Sequence, residues 1–150
     1  MNKRIKFAGL AMMLVMAVTG TTSQMWADQQ VRLRARQNKT INGFEAELRG
    51  DYREQRGPSR LNAELEKINL PAGTPVAFCL VQNGVRSLLG VGHVGGAVPE
   101  ASVELEANDG DTVPKVEAGD VLQAHQRSTA PFNPNPTCGS ALLISAPFAK

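Results

Sequence analysis

Aromatic side chains are scarce in this chain: they make up 5% of its 150 residues, with one Trp, one Tyr and five Phe. Exposed aromatic platforms, on which small exported sandwiches usually bind sugars, therefore have few candidates. Histidine and cysteine are scarcer still, at two each, so a dismutase-type site built from several histidines is excluded. No Gly-x-Ser-x-Gly elbow occurs, and scattered serines beside two histidines mark no catalytic triad. Past residue 18 no apolar run approaches the ~20 residues that a membrane-spanning helix needs. A helical period is missing as well.

What is present begins with a leader pattern. Lys3, Arg4 and Lys6 precede an uninterrupted run of apolar and small residues at 7–18, followed by a polar stretch with small residues. This is the composition of a secretory signal peptide. The expected division is a signal peptide over 1–27 and one domain over 28–150. Cleavage is placed after Ala27, with cuts after Gly20 or Ser23 open, and Trp26 leaves with the leader. No cysteine stands near the end of the apolar run to carry a lipid. The expected compartment is exported, either periplasmic or secreted, with no transmembrane helix in the mature chain.

Three of the 16 Lys and Arg lie in that leader, and without them the 14 Asp and Glu are in slight excess. The calculated pI of 8.7 therefore does not argue for nucleic acid as a partner. An asymmetry remains: residues 28–60 hold eight basic and five acidic side chains, and residues 61–150 hold five and nine. Paired surface charge is the simpler account; a basic face for an acidic partner is the functional one.

Val31, Leu33 and Ala35 alternate with Arg32, Arg34 and Arg36, and Phe44, Ala46 and Leu48 alternate with Glu45, Glu47 and Arg49. Period-2 alternation predicts two strands with one buried face each. If they pair, arginines are expected opposite glutamates. Tyr52 extends the second strand inward. Leu61, Ala63 and Leu65 predict a third strand, and the shift of phase to Ile68 and Leu70 predicts a bulge within it.

Residues 68–94 contain the longest apolar run after the leader and read as the central hairpin. Residues 76–81 are apolar at every position, as in a strand buried on both faces. Asn83-Gly84 then supplies the positive φ angles of a type I′ turn. Gly90, Gly92, Gly95 and Gly96 predict a bent or bulged return strand, or a close backbone approach. Further strands are expected at Val103 and Leu105, at 121–125, and from Ala141 to Ile144 or beyond. Between the last two lies a loop with prolines at 131, 134 and 136. Short strands separated by turn residues predict an all-β fold, an antiparallel β-sandwich or flattened barrel of about seven to nine strands.

Several turn motifs carry a likeness. Val31-Arg32-Leu33-Arg34-Ala35, Ile41-Asn42-Gly43, the run from Ile68 to Thr74 (INLPAGT), Asp109-Gly110-Asp111-Thr112-Val113-Pro114 and Ala118-Gly119-Asp120 together resemble a secreted bacterial all-β module of unknown function. Such modules occur singly or in tandem and are somewhat similar to chordin-type modules. The resemblance implies an extracytoplasmic all-β domain and carries over no catalytic residue. The two cysteines and the proline-rich loop depart from its pattern.

Cys79 and Cys138, an even pair in an exported chain, are expected to form a disulfide. It would tie the loop at 126–137 onto the 76–81 strand. The competing use joins them with His93 and His125 as a Cys2His2 metal set, but these four lie 14, 32 and 13 residues apart, unlike the close pairs of structural zinc sites. Asp109 and Asp111, with Asn108 and Glu117, offer hard oxygens for calcium, yet Asp-Gly forms a turn without an ion. Glu104 and Glu106 offer two carboxylates for acid–base work; their alternation places them on a solvated face. Asn38-Lys39-Thr40 is a sequon of consequence only in a eukaryotic secretory route.

The resulting expectation is an exported non-catalytic β-sandwich with a binding, adhesion or envelope-structural role, no cofactor, and an extracytoplasmic protein or glycan as partner. Phe132, Asn133 and Asn135 in the tied loop are the candidate contact residues. The alternative is a small extracytoplasmic enzyme, metal-dependent or hydrolytic.

Overall fold

The computed structural model describes residues 30–55, 57–127, 137–139 and 141–150; the expected signal peptide lies outside them. Eight strands follow in order: β1 (Val31–Ile41), β2 (Phe44–Glu54), β3 (Arg60–Glu66), β4 (Pro75–Gln82), β5 (Val85–His93), β6 (Glu100–Glu106), β7 (Val121–Gln126) and β8 (Ala141–Ala149). Every pairing is antiparallel, and the order across the sheet is β5-β4-β7-β8-β1-β2-β3-β6. The all-β expectation holds. No helix among the described residues is long and apolar enough to cross a membrane.

One weak joint shapes the molecule. β8 meets β1 through only two residue pairs, Arg34 with Ala149 and Ala35 with Phe148. Phe148 N–H donates to the Asp120 carbonyl at 2.8 Å, on the β7 side. Backbone donors alternate sides along a strand, so the residues flanking Phe148 are the ones that donate toward β1, and the one before it is Pro147. Having no N–H, it ends the ladder. The sheet therefore folds over at this joint into two four-stranded halves, β1-β2-β3-β6 and β8-β7-β4-β5. Leu33, Leu48, Tyr52, Leu61 and Leu65 from the first half and Phe78, Leu80, Leu122, Ile144 and Phe148 from the second are all buried in one core.

The free ends of the sheet come together on the opposite side. A Cβ added at Gly92 would lie 2.6 Å from the Ser102 carbonyl oxygen, and one at Gly90 would lie 2.7 Å from Val103 Cγ1. β6 thus lies against bare backbone of β5, and a single bridge between Gly95 and Glu100 is the only pairing recorded there. A flattened, incompletely closed barrel is the result. The close approach anticipated from the glycines is present, as is the bulge, which falls opposite the Phe78/Cys79 step.

Other expectations change in detail. The hairpin of β4 and β5 is not central, because β5 is the last strand at one end of the order. β1 runs on to Ile41 and turns through Asn42 (φ 51) and Gly43 (φ 81), a second Asn-Gly hairpin that the polar residues at 37–40 disguise. β3 carries no bulge: it ends at Glu66, and Lys67 at φ 55 redirects the chain so that Ile68 enters the core. Phe44, at core parity, is 56% exposed. It stands at the hairpin tip, beyond the reach of the opposite half.

Candidate functional site

The same alternation that sends Leu33, Leu48 and Leu61 inward sends charged residues outward over the first half of the sheet. β1 contributes Arg32, Arg34 and Arg36, and β2 contributes Glu47, Arg49, Asp51 and Arg53. β3 adds Arg60, Glu64 and Glu66, and β6 adds Glu100, Glu104 and Glu106. The register differs from the expected one. Arg36 stands directly opposite Arg49, Arg32 opposite Arg53, Arg53 opposite Arg60, and Glu66 opposite Glu100. Like charges facing each other across strands are unfavourable, and diagonal pairs offset them.

Arg32 and Arg53 both reach Asp51, at 2.8 and 2.7 Å, and Arg49 reaches Glu47 at 3.0 Å and Glu66 at 2.7 Å. Arg36 also pairs with Glu47, and Arg60 pairs with Glu104 and, at 3.0 Å, with Glu106. Hydrogen bonds from Arg49 and Arg36 hold the Glu47 carboxyl below its usual range although it is buried. Burial raises the Asp51 carboxyl, but hydrogen bonds from Arg32 and Arg53 outweigh it and the net shift is downward. Glu64 moves the other way, raised by burial and by Glu66 and Glu100. A trough of about 480 Å³ lies over the backbone of Ala35 and Gly50, walled by Arg34, Arg36, Arg49 and Glu64.

The charges are unevenly spread. Asp51 already serves Arg32 and Arg53, leaving Arg34 with a contact of 3.8 Å. The β1 edge of the face is thus arginine-rich, and the β6 edge is glutamate-rich. Arginine presents five fixed N–H donors and stays protonated, which suits recognition of carboxylate or phosphate and does not suit proton transfer. The sequence points to the basic part of this face through the arginine alternation. It also places Glu104 and Glu106 on a solvated strand face, but not beside the arginines, because β6 joins β3 across 33 intervening residues (67–99).

The second half carries a different outer surface. Cys79 and Cys138 form the expected disulfide, with Cα atoms 5.9 Å apart and a sequence separation of 59. A loop of that length corresponds to roughly 4 kcal/mol on the chain-entropy account. The disulfide packs with Ala77, Leu88 and Val91 in a small cluster separate from the main core. That cluster is why β4 is apolar on both faces. Beside it, His125 is buried, its Nε2 is 3.0 Å from Gln123 Oε1, and its Nδ1 has no hydrogen-bond partner among the described residues. Burial, with Arg86 nearby, lowers its pKa.

The remaining candidates are not assembled into one place. Both thiols are in the disulfide, so the Cys2His2 set lacks its thiolate ligands; His93 is exposed at the end of β5. Among the described residues no three His, Cys, Asp or Glu side chains come together as a metal site. Asp109 lies in a 3-10 turn (Ala107–Asp109), and Asp111 accepts the Glu106 N–H at 3.0 Å, as a turn-forming residue does. Glu104 and Glu106 share Arg60 on the solvated face. Phe132, Asn133 and Asn135 lie outside the described residues. Compared with known proteins, the chain matches no family model, no curated protein and no solved structure.

Proposed function

We propose that the chain is an exported, non-catalytic binding module whose recognition surface is the charged outer face of β1, β2, β3 and β6. One observation supports this above the others: the guanidinium groups on β1 outnumber the carboxylates within their reach, so that Arg34 and Arg36 remain 65% and 69% exposed while sharing Asp51 and Glu47 with other arginines. A face built only for internal pairing would place one carboxylate beside each guanidinium. The strands beneath hold these side chains on a rigid support, as interaction surfaces require. The disulfide suits an oxidising compartment, and the likeness of the turn motifs to secreted bacterial modules agrees with it.

The recognition reading is tested by titrating an oligo-glutamate peptide into isotopically labelled protein. Amide shifts are expected on β1 and β2, and they should vanish in Arg34→Glu/Arg36→Glu; shifts confined to the other half of the sheet would sink the proposal. Export is tested separately by expressing the full chain in a bacterial host. Material in the periplasm or medium should begin at Asp28, Gln24 or Thr21, and an intact chain retained in the cytoplasm counts against export.

A further inference from the structure

The polarity of the charged face runs across the strands, and this restricts what can dock on it. Arg32, Arg34 and Arg36 line the β1 edge, while Glu100, Glu104 and Glu106 line the β6 edge. Between them, the middle strands β2 and β3 carry mixed charge. Internal pairing takes up Arg32 and Arg36 on one edge and Glu104 and Glu106 on the other, but it is incomplete at both. Arg34 has only the 3.8 Å contact with Asp51, and no ion pair is recorded among the described residues for Glu64 or Glu100.

We infer that this face binds a second copy of the chain, related by a two-fold axis in the interface that runs parallel to the strands between β2 and β3. Turning a copy over about that axis exchanges left and right across the sheet while keeping the strand direction. The arginines of β1 then lie over the glutamates of β6, and the symmetry produces the same match twice, as an isologous contact requires. An in-plane axis perpendicular to the strands would set β1 on β1 and β6 on β6, with like charges opposed along both of those strands. The charge pattern therefore selects one arrangement. Face-to-face sheets pack most readily at about 30° to one another, an angle that preserves this match near the axis. Glu64, raised by burial and by Glu66 and Glu100, is a carboxyl that an arginine from the other copy would relieve.

This inference rests on the recognition reading of the face. Contacts between exposed ions are individually weak and screened by salt, so the dimer is expected to be transient. Sedimentation velocity is run on the full mature protein at about 20 mM and about 500 mM salt, where the screening length falls several-fold. Self-association is expected in the first condition and a monomer in the second. Arg34→Glu/Arg36→Glu and Glu100→Lys/Glu104→Lys, each shown folded by circular dichroism, should be monomeric alone. Mixed in equal amounts they should associate at least about tenfold more tightly than either does with itself, because each restores the other's complement. A wild-type chain that stays monomeric at low salt, or a mixture that does not associate, overturns the dimer. If such a monomer still shows oligo-glutamate shifts on β1, the recognition reading stands without the dimer; if those are absent too, both are wrong.

Discussion

Glu64 and His125 are two residues whose ionised forms the fold disfavours, and they respond to pH in opposite senses. Burial and the carboxylates of Glu66 and Glu100 raise Glu64. A raised acid favours the folded state while protonated and opposes it as the pH climbs through its folded pKa. Glu64→Gln is therefore expected to stabilise the protein at pH 7 by roughly half a kcal/mol, within the range of exposed charge interactions, read as a higher urea midpoint with unchanged slope. His125 is lowered, first by burial and then by Arg86. The unfolded chain, whose histidines titrate near 6.5, takes up that proton first. His125 thus contributes stability above about pH 6.5 that is lost as the pH falls through its lower folded value. Between pH 7.5 and 5.5 the wild type should lose on the order of 1 kcal/mol more than His125→Gln; equal losses in urea titrations would remove His125 as the cause. Glu47 and Asp51, both lowered, retain their contributions until the pH falls below about 4.

Among the strands, β5 depends most on a missing side chain. A methyl group at Gly92 would meet Ser102 backbone atoms at 2.6 and 2.8 Å, whereas one at Gly90 would meet the Val103 side chain. Backbone held in the β3 ladder cannot turn aside, but a valine can rotate. Gly92→Ala is accordingly expected to cost about 2–3 kcal/mol and Gly90→Ala about 1 kcal/mol, within the span of overpacked cores, measured by thermal unfolding; equal costs would mean that β6 moves freely over β5. Strands were readable from sequence where one face is apolar and the other charged, as in β1 to Arg36 and β3, or where every position is apolar, as in β4. Legibility failed where position along the barrel mattered more than parity. Gln37 and Lys39 continue β1 at the inward parity although both are polar and exposed, and Phe44 has core parity yet is exposed. The pairing of β3 with β6, which completes the candidate site, joins segments too distant for any local pattern to reveal. The disulfide was legible because only two cysteines exist to form it.

At the scale of the whole molecule, two incomplete seams allow one continuous sheet to enclose a core: the β5–β6 contact made through glycines, and the β8–β1 joint that Pro147 cuts short. The second has a consequence for chain order. Because β1 and β8 are antiparallel neighbours, with Arg34 beside Ala149 and Lys150 lining the same hollow as Val31 and Leu33, the first strand begins where the last one finishes. The fold is in this sense cyclic, and the break between β8 and β1 is one of several places where the chain could start. Joining Lys150 to Gln30 by a short glycine-serine linker and opening the chain between Asn83 and Gly84, in an exposed turn, is expected to give a circular permutant with the same β-rich circular dichroism spectrum and the Cys79–Cys138 bond intact. Loss of cooperative unfolding in that permutant would show that the β4–β5 connection, and not the closed cycle of strands, organises the core.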